Sequence, residues 1–264
     1  MMKILVAESW VGEFGWELMS WQGYLRKLAP AFDKCIVCAP TGHECLYADF
    51  STSYIAYDHS GTRDCWWTRK GTADHSEINK QLDRFGGTRI THGYIPIEDQ
   101  QFIKFGDTKC GEMTDVLVHA RGAFGTRPDH SWPLAHWNTV VEDLLRANLK
   151  VAAIGSRDGA ACPQGALDWR GIPLSQLADN MSATRLVVGP SSGPMHLASL
   201  CGTPHLVWTD QSYYSAIRAT NRLRYELLWN PLGTPCRVVE RHGWKPPVAC
   251  VLKEIIYCLE RFRR

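Results

Sequence analysis

The sequence predicts an α/β protein made of two successive doubly wound units, each a parallel sheet flanked by helices. Three observations predict it. Short β-branched runs alternate with segments of helical period from the first residues onward. The alternation halts in the polar stretch "QFIKFGDTKCGEMTD" (101–115) and then restarts. A length of 264 residues is enough for two small domains, each with its own core. The expected division is 1–110 and 111–246, with the last helix, 247–264, returning to pack on the first domain.

The elements follow in order. "MKILVA" is an apolar run suited to a buried parallel strand. "GEFGWELMSWQGYLRKLAPAF" places Leu18, Trp21, Leu25 and Leu28 at helical spacing, with Pro30 near its end. "KCIVCAP" reads as a strand, "GHECLYADF" as a short helix and "SYIAYD" as a third strand. Residues 60–87 are polar and partly helical, and "RITHGYIP" reads as a strand. In the second unit "VLVHARG", "KVAAIGS", "RLVVGPSS" and "PHLVWTD" are strands. Between them "PLAHWNTVVEDLLRANL" and "PLSQLADNMSAT" are helices, and "PPVACVLKEIIYCLERFRR" closes the chain with Val251, Ile255, Cys258, Leu259 and Phe262 on one face.

Composition excludes several classes. Twenty-nine Lys and Arg against 27 Asp and Glu leave a net charge of +2, too balanced for a dedicated polybasic nucleic-acid binder. No apolar run approaches the roughly 20 residues that span a bilayer, and the N-terminus lacks the apolar core of a signal peptide. A cytoplasmic protein is expected. Of ten scattered cysteines only Cys35 and Cys38 are spaced like metal ligands, and they lie within a strand; reduced thiols and no metal are expected. Several of the 11 tryptophans stand in polar, turn-like surroundings: Trp10, Trp16, "CWWTRK" and Trp132. Core packing and stacking on sugars or bases both suit them, and composition does not choose.

"VVGPSSGPMHLASLCGTPHLVW" (187–208) carries the strongest local signal. Ser191 or Ser192 suits the helix cap, Pro194 its first position, and Gly202 the left-handed residue that ends it. A strand feeding such a turn offers free N–H groups and a positive dipole end, where phosphates bind.

The order of motifs from 130 to 208 resembles the second half of the heptosyltransferase family, GT-B glycosyltransferases that use nucleotide-diphosphate sugars. The family pattern is Lys-x-Trp-Pro, a helix, a strand ending in Gly, a Gly-x-x-x-Leu segment, then Gly-x-[Asp/Ser]-[Thr/Ser]-Gly-x-x-His-x-Ala-x-x-x-Gly-x-Pro. "MKILVAESWVGEFGWELMSWQGYLRKLAPAF" resembles, more weakly, the family's opening strand, acidic turn and helix. The resemblance implies a GT-B-like pair of Rossmann-like domains with a central cleft, the acceptor on the first and the donor on the second. It departs at two positions that border the diphosphate in the family: Ser191 replaces an acidic residue and His130 a lysine.

The resemblance implies an inverting, metal-independent glycosyltransferase with no cofactor beyond its nucleotide-sugar donor. Its acceptor would be a surface glycan or a nucleic-acid base, so that DNA is a possible partner. Glu13 aligns with the catalytic acid and would be the general base, although a carboxylate there also offsets a helix dipole. Glu17 and Glu8 stand in reserve, Glu17 expected on a solvated helix face. The donor would meet Ser191, Ser192, Gly193, Met195 and His196 at the helix start, and Gly155 and Ser156 near the base. Arg121, Arg127 and His130 would lie along the diphosphate, and "DWRGIPLSQLA" would wall the base pocket. Two other classes fit the same residues: a non-catalytic nucleotide-sugar binder, and a GT-B-shaped epimerase or hydrolase.

Overall fold

The computed structural model describes residues 2–58, 75–93, 95–122, 128–214 and 218–262, and its contacts divide into two units, Met1–Phe102 and Ile103–Arg264. In the first unit the apolar runs become strands Ile4–Ala7 (β1), Lys34–Pro40 (β2), Ser53–Tyr57 (β3) and Thr88–Ile90 (β4). All pair in parallel, in the order β3-β2-β1-β4. Helix Phe14–Trp16 (α1) runs through a π-helical turn, Glu17–Trp21, into Gln22–Leu28 (α2); His75–Asp83 (α3) precedes β4. Val6, Ile36, Cys38, Tyr57 and Leu82 form a core cluster.

"GHECLYADF", expected as a helix, forms only one 3-10 turn, Glu44–Leu46. Arg26 explains this. Its guanidinium holds Asp49 at 2.7 and 3.0 Å and donates to the Leu46 carbonyl at 2.8 Å, so tertiary contacts replace the next helical turn.

The second unit contains Val116–Val118 (β5), Leu134–Arg146 (α4), Val151–Ala153 (β6), Leu167–Asp168 (β7), Leu174–Ala183 (α5), Leu186–Pro190 (β8), Gly193–Leu200 (α6) and His205–Trp208 (β9). A two-stranded antiparallel ribbon follows, Tyr213–Tyr214 (β10) and Ala219–Thr220 (β11). Asn221–Leu223 (α7) then enters a second π-helical turn, Arg224–Leu228, before Cys236–Val239 (β12) and Val248–Arg261 (α8). The six-stranded sheet is parallel throughout, in the order β12-β9-β8-β5-β6-β7. Sequence reasoning did not anticipate β7, the ribbon, α7 with its π turn, or β12.

Two expectations about the domains need correction. Segment 103–110, assigned to the first unit, is bound into the second: Phe105 N–H donates to Leu200 O at 2.9 Å, and Ser182 Oγ donates to Phe105 O at 3.0 Å. The last helix also belongs to the second unit. Val251, Ile255 and Cys258 of α8 join Val116, Val118, Trp137, Val141 and Val188 in one core. Their spacing makes one stripe, and the second sheet together with α4 covers it.

Candidate functional site

In the second sheet the chain first builds β5, β6 and β7 to one side, then returns to place β8 on the other side of β5. The carboxyl ends of β5 and β8 therefore flank a topological switch point, where open α/β sheets bind ligands. His119 follows β5, and Ser191 and Ser192 follow β8. Ser192 caps α6 with an extended backbone (φ −169°, ψ 169°), but its side chain does not cap the helix. Its Oγ donates to Pro190 O and meets His119 Nδ1, both at 2.9 Å. Burial, reinforced by the charge of Arg121, pulls the His119 imidazole down to about 3, so it is neutral near pH 7.

Tyr225, within the second π turn, completes the cluster. Ser192 N–H donates to its Oη at 3.1 Å, and its O–H donates to Ser191 Oγ at 3.0 Å. Neither His119 nor Tyr225 was anticipated. His119 stands directly after a β-branched strand, a position that marks it in retrospect. Tyr225 lies 34 residues beyond Ser191, in a stretch with no periodic pattern.

The expected donor residues fall into three groups. Ser191, Ser192 and Gly193 stand together on the partly exposed face of the turn. Met195 and His196, expected at the ligand, lie beneath it. Met195 is fully buried and its N–H is taken by Ser192 O at 3.1 Å. His196 is 2 % exposed, stacked face to face on Tyr225 at 4.5 Å and edge-on to Trp229 at 4.7 Å. Burial keeps its imidazole well below the usual range, and among the described residues its Nδ1 has no hydrogen-bond partner. The apolar neighbours of "HLASL" make this helix almost wholly internal, so its histidine packs inward.

The third group frames β6. Gly155 has φ +122°, and a Cβ there would lie 2.7 Å from Ala160 Cβ and 3.0 Å from the His119 ring. Ser156 Oγ accepts the Gly159 N–H at 3.0 Å and so closes its own turn. Arg121 pairs with Ala160 in an isolated antiparallel bridge, and His130 stacks on Trp244 at 3.6 Å. In "DWRG", Arg170 binds Asp168 through two nitrogens at 2.8 and 2.9 Å and donates to Ala160 O at 2.8 Å. Its hydrogen bonds hold the Asp168 carboxyl at about 2. Arg127, Trp66 and Trp67 lie outside the described residues.

In the first unit Glu13 is the N-cap residue of α1, with φ −65° and ψ 147°. Its carbonyl accepts the N–H groups of Trp16 and Glu17, and its side chain is partly exposed. Glu17 is not on a solvated face, as expected, but 0 % exposed. One of its carboxylate oxygens lies 2.8 Å from His43 Nδ1 and the other accepts the Tyr47 hydroxyl at 2.8 Å. The cause is the π turn, in which all five residues from Glu17 to Trp21 are buried. Glu8 is partly buried, and burial raises its carboxyl pKa against the opposing charge of Arg89. Among the described residues no helix is long and apolar enough to cross a membrane.

Residues 98–208 match the model of glycosyltransferase family 9 (heptosyltransferase). By sequence, no curated protein matches the chain. Among solved structures the chain is similar to ADP-heptose lps heptosyltransferase II of E. coli, with 14 % identity, a TM-score of 0.57, and coverage of 98 % of this chain and 99 % of that one. It is similar to the family 9 glycosyl transferase of Veillonella parvula, with 13 % identity, a TM-score of 0.57, and coverage of 99 % and 90 %. E. coli heptosyltransferase WaaC with ADP gives 10 % identity, a TM-score of 0.54, and coverage of 99 % of both chains. These likenesses establish the GT-B fold.

Proposed function

We propose that this chain, with a segment at 98–208 that matches glycosyltransferase family 9 (heptosyltransferase) and a GT-B fold, is a glycosyltransferase that moves a sugar from a nucleotide-diphosphate donor to a glycan hydroxyl. The transfer inverts the anomeric centre and needs no metal. The observation that carries this reading is the open turn at the β5–β8 switch point. It brings together the Ser191 hydroxyl, the Gly193 N–H and the N-terminus of α6. As the glycosidic bond breaks, negative charge grows on the diphosphate, and preorganised donors of this kind stabilise it. Glu13 takes the proton of the attacking hydroxyl. The bond to the acceptor oxygen forms opposite the departing diphosphate, hence the inversion.

ADP-linked sugars come first among donors, because relatives in fold are named for ADP-heptose. The protein works in the cytoplasm, and the comparisons lend no support to a nucleic-acid acceptor. Thermal unfolding with ADP, UDP, GDP and their sugars tests the donor site, since a ligand bound only by the folded state raises the midpoint. A rise with one of these series is expected; a midpoint indifferent to all of them rules the reading out. Transfer that persists in EDTA supports metal independence, and its loss would refute it. The replacements at Ser191 and His130 favour one second reading, a binder without turnover. A midpoint shift with no sugar transferred to any glycan would identify it.

A further inference from the structure

Two serines stand at the start of α6, and their hydroxyls are not equivalent. Ser192 is saturated within the protein: its single hydroxyl proton goes to Pro190 O, and its oxygen meets His119. Ser191 differs. Its Oγ accepts the Tyr225 hydroxyl at 3.0 Å, and among the described residues no group takes its own proton. Tyr225 in turn accepts from the Ser192 N–H at 3.1 Å. The result is a directed chain running from the backbone of the α6 N-terminus through the phenol to the Ser191 hydroxyl. It ends on the partly exposed side of the turn.

We propose that Tyr225 is a positioning residue for donor binding, aiming the Ser191 hydroxyl at an oxygen of the nucleoside diphosphate. The inference rests on the donor-binding reading above and adds a residue to it. With one lone pair of Ser191 Oγ occupied by Tyr225, fewer orientations remain for its proton. Each donation also polarises the next, and an anion at the end of the chain gains most from that. Tyr225 is well fixed for the task. It is fully buried and lies parallel to the His196 ring, with 7° between the planes. Burial pushes its phenol up to about 12, so it keeps its proton at neutral pH. His196 acquires a role here as the surface that holds Tyr225 in place.

The test is calorimetric titration of ADP, UDP and GDP into the wild type, Tyr225→Phe, Ser191→Ala, the double variant and Ser191→Thr. Each of the first two variants should weaken the nucleotide that binds the wild type by about tenfold, the scale of one hydrogen bond to a charged group. The double variant should be no weaker than Ser191→Ala, because Tyr225 acts only through Ser191. Ser191→Thr, which keeps a hydroxyl, should restore most of the affinity. Losses that multiply in the double variant would make Tyr225 a separate structural support and overturn the proposal. So would wild-type affinity in Ser191→Ala, a result available even if Tyr225→Phe fails to fold. If none of the three nucleotides binds the wild type, the donor-binding reading itself falls; if binding is intact and equal in all variants, only this inference does.

Discussion

Glu13 and Glu17 are one helical turn apart, yet their surroundings give them different work. Glu17 shares its carboxylate between an imidazole and a phenol and has no contact with solvent. Glu17→Ala would leave the Tyr47 hydroxyl and His43 Nδ1 without their acceptor. The first unit should then lose about 1–3 kcal/mol for each orphaned group, read as a lower urea midpoint. An unchanged midpoint would show that the cluster contributes nothing to folding. Glu13 is partly exposed at a helix cap, so Glu13→Gln should leave that midpoint in place. Turnover should instead fall by roughly 10²–10⁴, the usual contribution of a positioned base. Normal sugar transfer by Glu13→Gln would remove it from the mechanism. The acidic turn was readable because a Glu after the first strand is a local feature. The burial of Glu17 was not, because it depends on His43 and Tyr47, 26 and 30 residues away.

At the scale of elements, both π-helical turns place a buried polar side chain in a cluster, Glu17 in one unit and Tyr225 in the other. A π turn inserts a residue into the helical repeat, so side chains beyond it leave the face that regular spacing predicts. That is why periodicity described α4 and α8 well and the helix after β1 only in part. Tight junctions are a second case. Gly106 (φ +77°) brings the chain against α5, where a Cβ would stand 2.1 Å from the Ala178 carbonyl oxygen. Gly106→Ala should therefore destabilise the second unit by about 1–3 kcal/mol, through both the backbone conformation and the clash. Calorimetric unfolding checks it; a wild-type transition would mean the junction yields without strain.

Over the whole molecule, the second unit folds around three buried histidines. Burial brings His119 to about 3, His205 to about 4 and His196 well below its ordinary value. Unfolded, each takes up a proton near pH 6.5; folded, none does until the medium is far more acidic. The unfolded chain thus binds more protons between these limits, and stability must fall as pH drops from about 6.5 toward about 4. Asp168, held at about 2 by Arg170, works in a lower window: its contribution is complete above its ordinary value near 3.8 and disappears only as pH falls toward 2. Thermal midpoints measured from pH 7.5 to 4 should decline through the histidine window. A flat profile across it would mean that these rings titrate freely in the folded protein.

The sequence by itself determined two parallel α/β units, the turns around "VVGPSSGPMH", and the resemblance to glycosyltransferases. All of these are written in short-range spacing: β-branched runs, the period of 3.6 residues, and small residues where the backbone turns. Only the tertiary structure decided which unit receives α8, because an apolar stripe records that it needs a partner but not which one. The same holds for the site. Which distant groups meet the two serine oxygens is one such case: Tyr225 and His119 lie respectively 34 residues after Ser191 and 73 before Ser192. Hydrogen bonds across such separations form only when strands from distant parts of the chain are laid side by side, and no local pattern encodes that.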